Sequence, residues 1–232
     1  SLNTAKNLGI TSLSNTARYG LTLVLGGGEV SLLEMTNAYA TFANEGIRTP
    51  HHAILSVESP LGEKLAYQTE NPYRVLAKNI ALQINSILSD NKARTPAFGA
   101  ASPLYFPGYD VAAKTGTTND YRDAWVIGYT PNISVGAWAG NNDNHSMDKR
   151  VAGYIIAPLW NSFMQYAITT RKQEFFDPPP VIPQDIKPVL RGIWQGSATY
   201  TIDTISGKLA TEYTPKETKE ERVIPNVHSI LH

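Results

Sequence analysis

The apolar positions of this chain follow a helical period twice before they begin to alternate. Leu32, Met35, Tyr39, Phe42 and Ala43 form one stripe, which predicts a helix over 31–45. Ser31 and Glu34 stand at capping-box spacing at its start, and Gly46 is a natural stop. A second stripe, Leu76, Ile80, Ile84, Ile87 and Leu88, predicts a helix over 73–89. Between the two helices, 52–57 and 64–67 read as short strands around a Ser-Pro-Leu-Gly-Glu turn. From Asn91 to Gly108 periodicity lapses, and Pro96, Pro103, Pro107 and two glycines predict a loop.

Beyond that break the chain turns β-like. Segments 111–118, 124–129 and 133–140 are strand candidates, and the short Pro131-Asn132 turn predicts an antiparallel hairpin from the last two. Residues 157–168 return to a helical pattern. Asp-Pro-Pro-Pro-Val-Ile-Pro, 177–183, reads as a stiff linker into a small piece over 184–232, in which Tyr200 to Ala210 is expected to form a hairpin. The opening residues 1–10 read as the end of a helix running into Gly9, as if the chain begins inside a domain. Helices, then consecutive strands, then a helix argue for an α+β fold with an antiparallel sheet covered by helices.

Composition narrows this picture only slightly. With 232 residues, 42% of them apolar, the chain can bury one sizeable core. Lys+Arg and Asp+Glu are both 20, so nothing points to a nucleic-acid partner. The absence of cysteine excludes disulfides and Cys-ligated metal. No apolar run approaches the roughly 20 residues of a membrane span.

The candidate chemistry lies in the first of the three strands. Alternation puts Lys114 and Gly116 on one face and Thr115 and Thr117 on the other. On an edge strand beside a cleft, Gly116 lets a ligand backbone lie close, free N–H groups can pair with an extended peptide, and the hydroxyls with Lys114 can hold a carboxylate. That set suits acyl transfer on a peptide ending in a free carboxylate. Other candidates have blander readings. Gly26-Gly27-Gly28 is a loop before the Ser31 cap, since no Gly-Lys-Ser/Thr follows. His51-His52 lacks a carboxylate at ligand spacing, so no metal is expected. Asp120, Arg122 and Asp123 read as a structural turn in which Asp123 caps or pairs with Arg122, and Trp125 and Trp138 read as core.

The stretch KTGTTNDYRDAWVIGYTP resembles the third active-site motif and following strands of the class A penicillin-binding proteins, the bifunctional glycosyltransferase/transpeptidases. YGLTLVLGGGEVSLLEMTNAYATFANEG (19–46), GNNDN (140–144) and APLWNSFM (157–164) are similar to that family in order and spacing, so the resemblance covers about residues 4–168. YTIDTISGKLATEYTP looks like the C-terminal extension of some members. The wider motif set is Ser-x-x-Lys, a Ser-x-Asn type and Lys-Thr-Gly. The chain is expected to hold only the third, with its acylated serine, base lysine and glycosyltransferase domain upstream of Ser1. The resemblance thus implies that 1–176 is the C-terminal part of a transpeptidase domain of the serine β-lactamase/transpeptidase type. It implies Lys114 as a catalytic proton-transfer group, Thr115, Gly116 and Thr117 as substrate-binding residues, and the Thr117 N–H as an oxyanion donor. The implied partners are peptidoglycan stem peptides and β-lactams, without metal or cofactor. The implied place is the extracytoplasmic face of the bacterial membrane, reached through an N-terminal anchor outside this chain. A penicillin-recognising sensor on the same fold would use the same third motif.

Overall fold

The computed structural model describes residues 1–13, 19–67, 69, 71–181 and 199–223. Two helix–sheet contacts organise the larger unit, Ser1–Pro180. Helix α1 (Leu2–Asn7) ends at Gly9, whose φ of 94° is open to glycine at little cost. A 3-10 turn over Leu21–Leu25 leads into α2 (Leu32–Ala43), capped by Ser31, whose hydroxyl accepts the Glu34 N–H at 3.2 Å. Strand β1 (Ile47–Arg48) follows, then the antiparallel hairpin of β2 (Ser56–Glu58) and β3 (Lys64–Tyr67).

Several boundaries differ from the sequence reading: the strand expected over 52–57 is formed only from Ser56, as β2. Tyr73–Arg74 form β4 against β1, and helix α3 begins only at Lys78, running to Ser89. The extended pair wins there because Gly46 accepts the backbone N–H groups of Val75 and Leu76, holding residues 73–76 out of the helix. The expected loop after Asn91 instead opens with α4 (Asn91–Phe98). Asp90 caps it by accepting the Ala93 N–H at 3.0 Å, and Gly99 at φ 84° ends it. The cap outweighs Pro96, which removes a donor from so short a helix.

Strands β5 (Ala112–Thr117), β6 (Asp123–Thr130) and β7 (Ile133–Gly140) form an antiparallel sheet in that order. Among the described residues β5 is an edge. Helices α2 and α3 cover one face. There Tyr129 is fully buried and donates to Asn85 Oδ1 at 2.8 Å, while the Asn85 amide donates to the Phe42 carbonyl at 3.1 Å. Burial raises the Tyr129 pKa further from neutrality, so its hydroxyl stays a donor. The short helix α5 (Ala152–Ile155) and the longer α6 (Ala157–Thr169) cover the other face. Trp160 of α6 is 1% exposed, and its indole N–H donates to the Val135 carbonyl at 3.0 Å. Around it pack Phe106, Val111, Ala113, Val126, Ala152 and Met164. After α6 the chain stays on this unit: the Phe176 N–H donates to Asp110, and Asp177 lies 3.1 Å from the Lys78 ammonium.

The second unit is Val181–His232. Its described part pairs β8 (Thr199–Asp203) with β9 (Lys219–Val223), antiparallel. The hairpin expected over 200–210 is present only as a turn and a single bridge, Ile202 to Leu209. Asp203 closes that turn by accepting the Ser206 hydroxyl at 2.7 Å, and its ladder partner lies further along the chain, in β9.

Candidate active site

Lys114 sits in the middle of β5, exposed, with Ala112 and Gly116 on its face. Ala113 on the opposite face packs into the core beneath α5 and α6. The Thr117 hydroxyl, on that same face, accepts the backbone N–H of Ala152 at 2.9 Å. The alternation expected for the motif is therefore the one present.

Backbone direction follows from one bond. The Thr118 N–H donates inward to the Asp123 carbonyl at 3.1 Å. Inward and outward pairs alternate along an antiparallel ladder, so the main-chain groups of Thr117, Thr115 and Val111 point away from β6. Two side chains agree: the Lys114 ammonium donates to the Thr115 carbonyl at 2.6 Å, and Arg94 reaches the Val111 carbonyl at 3.4 Å. Along this edge runs a groove of ≈ 250 Å³ lined by Leu88, Arg94, Phe98, Leu104, Lys114 and Thr115.

Arg94, not singled out in the sequence, fastens the wall of that groove. Its guanidinium donates to the carbonyls of Leu88 (2.8 Å), Asp90, Leu104 and Val111 (each 3.4 Å). Burial lowers its pKa, opposed by Asp90, but a guanidinium stays charged at neutral pH. Its only sequence signal is its place four residues after the cap, Asp90.

The turn after the motif is structural, with different partners from those expected. Asp123 does not pair with Arg122. Its carboxylate accepts the Thr118 hydroxyl at 2.9 Å and the Trp138 indole N–H at 2.9 Å. Arg122 donates to the Asn144 carbonyl at 2.9 Å and stands 3.8 Å from Asp120. Asp120 and Tyr121 both hold positive φ, 60° and 55°, which makes the turn tight. Trp125 and Trp138, expected in the core, are only partly so: their rings lie 6.5 Å apart and Trp138 is 38% exposed. Helix α2 meets this face at Gly136, two residues short of Trp138.

The expectation of a lone third motif also needs correction. Ser89-Asp90-Asn91-Lys92 carries both Ser-x-x-Lys and Ser-x-Asn spacing, and Ser146-Met147-Asp148-Lys149, in the irregular stretch after β7, carries the first of them. The geometry does not follow the letters. Ser89 ends α3, Asp90 leaves the helical region (φ −71°, ψ 97°), and Lys92 belongs to α4. The Ser89 hydroxyl donates to the Ser86 carbonyl at 3.4 Å, and among the described residues no hydrogen bond joins Ser89 to Lys92 or Lys114. An activated serine needs its base within hydrogen-bond reach.

A helix-covered antiparallel sheet with an exposed Lys-Thr-Gly edge defines a class, and the chain belongs to it. Residues 4–165 match the penicillin binding protein transpeptidase domain family. The chain is 33% identical over 154 residues to penicillin-binding protein 4 of Bacillus subtilis, covering 64% of this chain and 24% of that protein. It is 32% identical over 163 residues to penicillin-binding protein 1A of Aquifex aeolicus, covering 68% and 21%. It thus spans less than a quarter of these relatives. Among solved structures it resembles PonA1 of Mycobacterium tuberculosis in complex with penicillin V, with a TM-score of 0.65 and 26% identity over 77% of this chain and 52% of that one. Penicillin-binding protein 1A of Haemophilus influenzae shares the fold, with a TM-score of 0.59 at 18% identity over 94% and 35%.

Proposed function

We propose that this chain is the C-terminal part of a serine-type D,D-transpeptidase that cross-links peptidoglycan and is acylated by β-lactams. The observation that carries the reading is the outward edge of β5, where Thr115 and Thr117 present main-chain groups beside Lys114 and an open groove. An extended stem peptide ending in D-Ala-D-Ala would add to that edge as a strand. Thr115 and Thr117 would hold its terminal carboxylate, with Gly116 leaving room for the peptide backbone. A serine supplied by the rest of the domain would attack the penultimate carbonyl. The bond to the last D-Ala would break, and that residue would leave as an amine carrying the serine's proton. An acceptor amine would then attack the acyl-serine and restore the hydroxyl. Lys114 would assist the proton transfers by placing charge beside the reacting hydroxyls. The Thr117 N–H would donate to the oxyanion, a contribution of about 3 to 4 kcal/mol to the transition state. The parent protein would work on the extracytoplasmic face of the membrane, anchored by a segment outside this chain. Residues 184–232 would be a C-terminal extension to the domain.

The test is the acylation rate of the parent protein. Lys114→Ala should cut acylation by penicillin and by stem peptide by a factor on the order of 100 to 10,000. An exposed strand lysine without such a role changes stability by about 0.5 kcal/mol or less, so the thermal midpoint should hardly move. Lys114→Arg keeps the charge but spreads it, and should restore ligand binding better than acylation. Near wild-type acylation by Lys114→Ala would overturn the assignment. Release of D-Ala from a stem peptide separates an enzyme from a penicillin sensor.

A further inference from the structure

We propose that the backbone N–H of Ala152 is a positioning donor that makes the Thr117 hydroxyl a hydrogen-bond donor to an anionic ligand on β5. The inference rests on the reading of this edge as a carboxylate-binding site. Thr117 is exposed at the outer end of β5, yet its oxygen accepts the Ala152 N–H at 2.9 Å. Ala152 itself is 0% exposed and belongs to the same core cluster as Ala113, Val126 and Trp160. The bond therefore ties an exposed hydroxyl to the rigid interior.

A hydroxyl has one hydrogen and two lone pairs. With one lone pair held by the amide, the side chain is locked on its threonine rotamer and the hydrogen is left free to donate to a ligand. A donor bonded to the oxygen also polarises the O–H and strengthens what it donates. Among the described residues Thr115 receives no such bond, so the two hydroxyls of the motif are unequal although the sequence presents them alike.

The backbone around Ala152 allows the donor to be removed alone. Val151, the residue before it, has φ −76° and ψ 158°, the region a residue preceding proline adopts. Ala152 is the first residue of α5, where proline is tolerated. Ala152→Pro therefore deletes the N–H without opposing the local backbone. Replacing Ala152 by lactic acid, which turns the amide into an ester, deletes it with no added ring. Ala152→Gly keeps the N–H and reports the cost of disturbing the packing.

The experiment measures acylation of the full-length parent by a penicillin and by its methyl ester, which lacks the anionic carboxylate. The ester-linked variant and Ala152→Pro should lose about tenfold in rate with the free acid and less than about twofold with the methyl ester. Ala152→Gly should acylate with both as wild type does, even if its thermal midpoint falls. Equal losses with both ligands, or no loss in the ester-linked variant, overturn the role of Ala152 alone. A wild-type parent that is acylated by neither ligand overturns the transpeptidase reading and this inference with it.

Discussion

Glu34 carries two interactions, of which its spacing from Ser31 announces one. Its N–H completes the cap of α2, but its carboxylate turns away from the cap to the loop before it. There it accepts the hydroxyls of Thr11 (2.5 Å) and Ser12 (2.6 Å) and both their N–H groups. Partial burial would raise its pKa, yet the hydrogen bonds from Ser12 and Thr11 outweigh that and bring it from an ordinary 4.5 to about 2. A carboxyl held low in the folded state stabilises above its unfolded pKa, and the contribution is lost as pH falls through the folded one. Glu34→Gln should therefore lower the thermal midpoint at neutral pH by the equivalent of about 1 kcal/mol, reduced by solvent screening at this half-exposed site. The gap between variant and wild type should close between pH 4.5 and about 2. A gap that persists unchanged at low pH would show that the carboxylate's charge is not involved.

At the scale of elements, the sheet is set by what its two faces must admit. Gly128 of β6 lies under Trp160, and a Cβ there would fall on the Trp160 ring and 2.7 Å from the Ala112 carbonyl. Gly128→Ala should cost about 1–3 kcal/mol of stability by overpacking, read as a lower denaturation midpoint. Trp160→Phe in the same chain should recover part of the loss. An unchanged midpoint in Gly128→Ala would mean that α6 can slide on the sheet. The hairpin of β6 and β7 was legible because alternation and a two-residue turn are local signals. Helix α4 was hidden because prolines and glycines dominate its segment. The Asp90 cap and the Arg94 contacts to four carbonyls decide it instead, and three of those carbonyls, Leu88, Leu104 and Val111, lie beyond both the helix and its cap.

For the whole chain, the question is whether it can react by itself. Of its two Ser-x-x-Lys spacings, that of Ser89 is split by Asp90 between two helices and that of Ser146 lies in the irregular stretch between β7 and α5. Among the described residues neither serine is hydrogen-bonded to a lysine that could activate it. Incubation of this chain with fluorescent penicillin should leave no labelled band on a denaturing gel. A band competed away by excess unlabelled drug, and lost in Ser89→Ala, would show that the motif letters matter after all. The two units set a second scale of organisation, since the chain after α6 remains bonded to the first unit through Asp177 before the boundary at Pro180.

The sequence alone determined the long helices, the hairpin and the family, because amphipathic period, turn chemistry and a run of matched motifs are read in chain order. It also placed Lys114, Thr115, Gly116 and Thr117 on one strand with the correct alternation. Tertiary structure decided which edge of that strand is open, that Asp123 grips Thr118 and Trp138, and that Ala152 holds Thr117. The last contact joins residues 35 apart through a backbone N–H. Every residue except proline has that group, so no choice of side chain could have announced it.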